Sequence, residues 1–164
     1  MKKIFLIGLS AIMGLSLSGF ANAQSAEDKE AKVRMEKAAK VKWKLGKNLK
    51  AALRQSEETG LPVVILFTGG SWCGYCVKLE KEILSKKEFK KGMDGVAIGV
   101  IVNFPSSSDI GKDKDAKKYG VQGVPTMVVV DSEGKKLGNV GYMPGQKPEK
   151  YVEFFKKYAP AKAE

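Results

Sequence analysis

The motif Cys-Gly-Tyr-Cys at residues 73–76 constrains the fold more than any other feature of this chain. Before it, residues 63–67 form a continuous apolar run rich in β-branched residues, which is typical of a strand covered on both faces. After it, helical spacing relates Leu79, Ile83 and Leu84. A pair of cysteines placed where a buried strand turns into a helix is typical of a redox-active site in an α/β domain.

The position of each cysteine indicates its role. Cys73 would lie at the N-terminus of the helix, where free N–H groups and the helix dipole stabilise an anion. The thiolate is the reactive form of cysteine, and in motifs of this kind its pKa falls from ~8.5 to between ~3.5 and ~7.5. Cys76, one turn further along, would be shielded and would resolve the mixed disulfide. We therefore predict Cys73 as the nucleophile, Cys76 as the resolving thiol and Cys73–Cys76 as a redox disulfide.

Other roles for two cysteines fit this chain less well. A bridge that closes so short a loop removes only about 2 kcal/mol of unfolded-state entropy, so a purely structural staple gains little. Zinc or copper would need further ligands, and the chain has no histidine and no third cysteine. Val77 stands where the haem-attachment motif requires histidine. Inert thiols are the remaining alternative, and we expect neither a metal nor a cofactor.

The first 23 residues have the pattern of a secretory signal peptide. Lys2 and Lys3 precede an apolar stretch over 4–17, and Ala-Asn-Ala ending at Ala23 fits the cleavage pattern. An uncleaved anchor is the alternative, but the apolar run falls short of the ~20 residues that span a bilayer. We expect cleavage near Ala23, a mature protein that is periplasmic or secreted, and no stable membrane insertion after cleavage.

Lysine dominates the charge of the chain. The chain has 29 Lys and Arg residues against 18 Asp and Glu, a net charge of +11 that falls to +9 without Lys2 and Lys3. Only Arg34 and Arg54 are arginines, and the lysines are dispersed, which together with export argues against nucleic acid as a partner. The lysines either form a solvated surface or give the protein a preference for acidic partners and anionic surfaces.

The mature chain divides into an extension and one domain. Residues 24–45 form a charged helical extension, whose narrow apolar stripe would need docking to be stable. Residues 46–160 are long enough for a single hydrophobic core, and 161–164 are a C-terminal tail. The stripe consists of Ala31, Met35 and Ala38.

Patterning in the domain predicts the order helix, strand, helix, strand, helix, strand, strand, helix. Ser85 and Glu88 form a capping-box pattern, which predicts a second short helix beginning at Lys86. The remaining segments are a helix from about 47 to 60, strands over 63–67 and 96–104, a helix over 112–119, a hairpin of 126–131 and 136–143, and a last helix over 148–158.

Two motifs make the chain resemble the thioredoxin family. One is Trp-Cys-Gly-Tyr-Cys at 72–76, and the other is Tyr-Gly-Val-Gln-Gly-Val-Pro-Thr at 119–126. The resemblance covers roughly residues 46–160, and it looks closest to exported bacterial thioredoxin-like proteins with a tryptophan, here Trp43, before the first helix. It implies an α/β fold: a single thioredoxin-like domain with a central mixed β-sheet flanked by helices, here with an N-terminal helical extension.

The resemblance also implies a substrate-binding surface around the disulfide. Trp72, Gly74 and Tyr75 would contact substrate, Pro125 would be cis, and Val124 would face the disulfide. In such proteins the backbone of the residue before the proline pairs with the substrate chain like an added strand. An ordinary turn proline is the alternative for Pro125, since cis X-Pro bonds are a minority overall.

One departure from the family concerns proton transfer. Similar cytosolic thioredoxins carry a buried aspartate six residues before the first cysteine, and this chain has Phe67 there. Glu80 lies on the same helix face as Cys73 and Cys76, so it is a candidate proton acceptor for Cys76. A solvated partner for nearby lysines is the other interpretation of Glu80. Glu82 would face away.

A second departure concerns the direction of the reaction. Gly-Tyr replaces the Gly-Pro of reducing thioredoxins and matches a periplasmic disulfide isomerase, but residues 24–45 are too short for that protein's dimerisation domain. We predict an exported thiol-disulfide oxidoreductase, with reductase preferred to isomerase and oxidase last. Its partners would be exported proteins with thiols or disulfides and a redox partner. The alternative is a non-catalytic binding module with a permanently oxidised disulfide.

Overall fold

A computed structural model describes residues 18–160, with side chains from Ala26 onward. Most of the predicted signal peptide, and the predicted tail at 161–164, lie outside the described residues. Helix α1 (Ser18–Ala39) runs past the predicted cleavage position after Ala23. Within residues 18–160 no helix is both long enough and apolar enough to cross a bilayer.

Five strands form one mixed sheet in the order β1-β3-β2-β4-β5. The central strand β2 (Val63–Thr68) is buried throughout, because its apolar run leaves no polar face. It pairs in parallel with β3 (Ile98–Asn103) and antiparallel with β4 (Thr126–Val130). At the edges, β1 (Leu45–Gly46) pairs in parallel with β3, and β5 (Lys136–Gly141) pairs antiparallel with β4. The predicted central mixed sheet is confirmed.

Helices cover both faces of the sheet. Helix α2 (Leu49–Thr59) begins after Asn48, whose side chain accepts a hydrogen bond from the Ala51 N–H, and it ends at Gly60 in the left-handed conformation. The order of helices and strands in the domain is the predicted one, with β1 added. The other helices are α3 (Gly74–Leu79), α4 (Lys87–Met93), α5 (Lys114–Tyr119) and α6 (Pro148–Lys156), and 3₁₀ turns cover Gly70–Trp72 and Ser107–Asp109.

Alternation of side chains along β2 divides the core into two layers. Val63, Ile65 and Phe67 pack in the layer with α2 and α5, whereas Val64 and Leu66 pack in the layer with α3, α4 and α6. Phe67 is fully buried and its ring stacks on that of Phe104 at 6.2 Å. The position six residues before Cys73 therefore belongs to the apolar core.

The helix that follows the cysteines widens in its second half. From Glu80 to Leu84 the backbone is π-helical, and the Ser85 N–H donates to the Glu80 carbonyl at 2.9 Å. The Ser85 hydroxyl donates back to the Lys81 carbonyl at 3.0 Å, and no side chain caps α4. The predicted capping box is therefore wrong, because the preceding helix continues far enough to occupy the Ser85 hydroxyl.

The N-terminal helix is confirmed, and it is docked at its C-terminal end. Ala38 is buried in the layer with α2, whereas Met35 is half-buried and Ala31 is exposed. Beyond the helix, the Trp43 ring packs edge-on against Phe89, with ring centroids 5.6 Å apart. The predicted stripe therefore contacts the domain mainly through its last residue.

Candidate functional site

A disulfide joins Cys73 to Cys76 at the junction of β2 and α3. Cys73 is the residue immediately before α3, and its sulfur accepts a hydrogen bond from the Cys76 N–H at 3.2 Å. The sulfur of Cys76 accepts a hydrogen bond from the Gly69 N–H at 3.3 Å. Backbone N–H groups directed at sulfur favour the thiolate when the pair is reduced, because they stabilise negative charge.

The two cysteines differ in what surrounds them. The Cys73 sulfur lies 3.6 Å from the carbonyl oxygen of Val124, and the peptide bond from Val124 to Pro125 is cis, as predicted. Cys73 is 8% exposed and Cys76 is 4% exposed. The low exposure of Cys73 is consistent with its contact with Val124. It is nevertheless the more exposed of the two cysteines.

Trp72 forms one side of the site. Its indole Nε1–H donates to the Phe104 carbonyl at 2.7 Å, and its ring lies so close to Gly69 that no Cβ would fit there. The side chain is nonetheless 42% exposed. Trp72 is therefore an exposed aromatic surface next to Cys73, held in place by its hydrogen bond to Phe104.

Tyr75 is a second exposed aromatic residue of the site, and the sequence did not predict its partner, Tyr142. Tyr75 is 60% exposed, and its ring lies 5.8 Å from that of Tyr142, which follows β5. The Tyr142 hydroxyl donates a hydrogen bond to Glu82. This bond, with a smaller contribution from desolvation, raises the pKa of Tyr142 to about 12. The Lys78 Nζ lies 5.7 Å from the Tyr75 ring centroid, within cation–π range.

The segment that carries Tyr142 is itself held in place. The Met143 N–H donates to the Tyr151 hydroxyl at 2.7 Å, and that hydroxyl donates to the Gly141 carbonyl at 3.4 Å. Burial raises the pKa of Tyr151, so the hydroxyl stays protonated and can make both bonds. The position of Tyr142 beside Tyr75 therefore depends on a buried residue of α6.

A groove of about 420 Å³ lies behind the disulfide, and Cys76 and Glu80 both line it. Its other walls include Leu66 and Ile101. Glu80 is exposed, so its carboxylate is solvated at the mouth of the groove. Glu82 is not among the residues that line this groove; its carboxylate instead accepts the hydrogen bond from Tyr142, so it is not a free surface charge.

The acid–base groups at the site are few. The position six residues before Cys73 holds the buried, non-titratable side chain of Phe67. Among the described residues no cluster of three or more His, Cys, Asp or Glu side chains has the arrangement that would hold a metal ion. The chemistry that the arrangement supports is thus thiol–disulfide exchange at Cys73, with Cys76 next to it and a carboxylate at the adjoining groove.

A family model for a thioredoxin-like domain matches residues 49–156. The chain is 33% identical over 115 residues to the disulfide bond reductase DsbH of Chlamydia pneumoniae, which covers 66% of this chain and 67% of that protein. It is 30% identical over 96 residues to the thioredoxin-related protein DsbJ of the same organism, over 55% of this chain but 28% of DsbJ. The chain thus spans about a quarter of the length of DsbJ.

Comparison of solved structures gives the same result for the fold. A structure of a DsbH oxidoreductase superposes with a TM-score of 0.58 at 32% identity, over 72% of this chain and 86% of that chain. A thioredoxin from Thermus thermophilus superposes with a TM-score of 0.53 over 72% of this chain and 86% of its own, and at 18% identity it supports the fold alone.

Proposed function

Because this chain belongs to the thioredoxin-like family and is homologous to thiol-disulfide oxidoreductases, we propose that it reduces disulfide bonds in exported proteins. The observation that carries the proposal is the placement of Cys73 at the start of α3, facing Val124, with Cys76 one turn behind it. The relative named a disulfide bond reductase favours reduction over oxidation. The Gly-Tyr dipeptide supports isomerisation as a second activity.

The exchange runs in two steps. The Cys73 thiolate attacks one sulfur of a substrate disulfide, which forms a mixed disulfide and releases the other substrate sulfur as a thiolate. The Cys76 thiolate then attacks the Cys73 sulfur, which releases the second substrate sulfur and forms the Cys73–Cys76 disulfide. The substrate gains two electrons and two protons. A dithiol partner, oxidised in turn, returns the pair to its reduced form.

Substrate would bind along the surface between Trp72 and Tyr75. The Val124 carbonyl lies 3.6 Å from the attacking sulfur, so a substrate backbone N–H that pairs with it would bring the disulfide to Cys73. The aromatic surfaces of Trp72 and Tyr75 would contact the flanking side chains, with Gly74 leaving space between them. The surface is compatible with varied protein substrates because backbone pairing is independent of their sequence.

Glu80 would accept the proton of Cys76. Cys76 must lose its proton to attack as a thiolate, and at 4% exposure it has little direct contact with bulk water as a proton acceptor. Phe67 supplies no base, whereas Glu80 shares the 420 Å³ groove with Cys76 and can act through water. The solvated position of Glu80 also lets it return the proton to bulk water.

Export rests on the pattern of the first 23 residues, with Lys2 and Lys3 before an apolar stretch and a cleavage pattern at Ala23. We place the mature protein in the periplasm, where its substrates would be exported proteins. Fractionation of cells that express the chain with a C-terminal tag tests this placement. A tagged species that stays with the cytoplasm at full length would contradict it.

Reduction of insulin disulfides by dithiothreitol, followed by turbidity, tests the proposed activity. The protein should accelerate precipitation well above the rate with dithiothreitol alone, and Cys73→Ser should abolish the acceleration. A wild-type rate equal to the dithiothreitol control would contradict the reductase proposal. It would support instead the binding module with a permanently oxidised disulfide.

A further inference from the structure

Between α1 and α2 the chain alternates lysines with apolar residues. An extended segment places alternate side chains on opposite sides, so such a pattern separates a charged side from an apolar one. The structure shows this separation, since the lysines are exposed and the apolar residues are half-buried against the domain. The lysines are Lys40, Lys42 and Lys44, and the apolar residues are Val41, Trp43 and Leu45.

Hydrogen bonds from the domain hold this segment in place. The Asp94 carboxylate accepts from the Trp43 N–H at 2.8 Å and from the Lys42 Nζ at 3.2 Å. The Gly95 N–H donates to the Val41 carbonyl at 2.9 Å. The row of lysines is therefore preformed, and a ligand would not have to order the backbone that carries it.

The segment borders a cleft of about 710 Å³ between the end of α1, α2 and the start of β3. Apolar residues such as Val41, Ala52, Ile98 and Val100 line it, and Glu58 is the only carboxylate that lines it among the described residues. Lys42 is paired with Asp94, whereas the other lysines of the cleft form no ion pair with residues 26–160. Those four are Lys37, Lys40, Lys44 and Lys47.

We propose that this cleft binds an extended acidic segment of a protein partner, in which carboxylates alternate with apolar side chains. The apolar lining would receive the apolar side chains, and the four lysines would face the carboxylates. The lysines line a concave site, which fits a single chain better than the plane of a bilayer. The volume lies within the ~300–1,000 Å³ typical of ligand sites, and so suits a few residues.

The cleft is separate from the disulfide. Its sheet wall consists of residues 98–100, which pair with the first half of β2, whereas Cys73 lies beyond the other end of that strand, after the turn at Gly70–Trp72. Within the described residues, none lines both this cleft and the groove at Cys76. Binding here therefore does not depend on the proposed redox activity and can be measured with the disulfide intact.

Fluorescence anisotropy with a labelled peptide of alternating glutamate and valine tests this proposal. One variant carries Lys37→Gln, Lys40→Gln, Lys44→Gln and Lys47→Gln. A control variant with the same net charge carries Lys87→Gln, Lys90→Gln, Lys114→Gln and Lys117→Gln, which are exposed and do not line the cleft. The cleft variant should bind about tenfold more weakly or worse, and the control should bind like the wild type.

A second variant, Ala51→Trp, fills the cleft and leaves the charge unchanged, since Ala51 is exposed and lines the cleft. It should lose binding as the lysine variant does. The peptide with glutamine in place of glutamate should not bind, and added salt should weaken the binding of the acidic peptide.

Several outcomes would overturn the proposal. Equal losses in the lysine variant and its control would mean a net-charge effect. Unchanged peptide binding in a lysine variant that self-associates would mean that the lysines only protect the sheet edge. Binding to phosphatidylglycerol vesicles, lost in the lysine variant, without binding of the acidic peptide would mean a lipid surface instead of a protein segment.

Discussion

The hydroxyl of Tyr142 donates a hydrogen bond to Glu82 while the Tyr142 ring lies 5.8 Å from that of Tyr75. A residue beyond β5 thus connects the helix after the cysteines to the dipeptide between them. Glu82, as acceptor, fixes the direction of the phenol, and Tyr151 fixes the backbone on the other side through Met143. The exposed ring of Tyr75 therefore packs against a tyrosine that is itself held by hydrogen bonds.

Glu82→Gln should lower the pKa of Tyr142. In the folded protein the hydrogen bond to Glu82, with its negative charge, raises that pKa from 10.0 to about 12. A raised pKa means that the bond is present at pH 10 and below and is lost as the pH rises through about 12. Without the carboxylate of Glu82, the phenol of Tyr142 should ionise nearer to pH 10. Ultraviolet titration of phenolate, with Tyr142→Phe to identify the group, measures this, and an unchanged titration in Glu82→Gln would contradict the assignment.

The roles of the two cysteines predict different trapping behaviour. Cys76→Ser should accumulate mixed disulfides with substrate, because the resolving thiol is missing, whereas Cys73→Ser should not. In the reduced wild type, iodoacetamide should label Cys73 first, with an apparent pKa below the ~8.5 of a free thiol. Mass spectrometry of the labelled peptides identifies the site. Preferential labelling of Cys76 would reverse the assignment.

The proton-acceptor role of Glu80 predicts slower resolution in Glu80→Gln. This change keeps the shape of the side chain and removes its charge, so general-base assistance predicts a loss on the order of 10²-fold in the attack by Cys76. A mixed disulfide of Cys73 with thionitrobenzoate reports this step by release of the coloured thiol. Alkylation of Cys73 should be nearly unchanged.

Glu88→Gln is the matched control, since Glu88 is an exposed carboxylate of α4. Glu82 is less suitable, because it accepts the hydrogen bond from Tyr142. If Glu80→Gln releases thionitrobenzoate at the wild-type rate, Glu80 is only a solvated surface charge.

The hydrogen bonds that the Asp94 carboxylate accepts should make an acid-sensitive contribution to the free energy of unfolding. The Trp43 N–H is the main cause of the lowered pKa of Asp94, partly opposed by desolvation and assisted by Lys42. A lowered pKa means that the contribution is present above pH 3.8 and is lost as the pH falls through the folded-state value. Asp94→Ala should cost about 1 kcal/mol at neutral pH. Urea unfolding measures it, and Asp28→Ala, in the exposed part of α1, is the control. A cost that persists unchanged in acid would contradict this account.

The sequence predicted the features that local patterns determine. The apolar run over 63–67, rich in β-branched residues, predicted the covered central strand, and Gly60 predicted the end of the helix before it. The two thioredoxin-like motifs identified Cys73, Cys76 and the cis Pro125, which lie together in the structure. These features depend on neighbouring residues or on motifs whose relative placement the fold fixes.

The features that were missed depend on distant contacts or on very short segments. Tyr142 lies 67 positions from Tyr75, and no periodicity relates them. Strand β1 is two residues long, too short for an alternating pattern to show, and it exists because β3 offers a pairing edge. The π-helical turn from Glu80 altered the end of its helix, so the prediction that Ser85 caps the next one was wrong.

The reduction potential of the Cys73–Cys76 pair tests the central claim most directly. The protein is equilibrated with a series of glutathione and dithiothreitol redox buffers, and the reduced fraction is measured by thiol alkylation. A reductase predicts reversible titration of both cysteines nearer to the about −270 mV of reducing family members than to the about −120 mV of oxidising ones. A pair that stays oxidised throughout the series, or that titrates near −120 mV, would contradict the account.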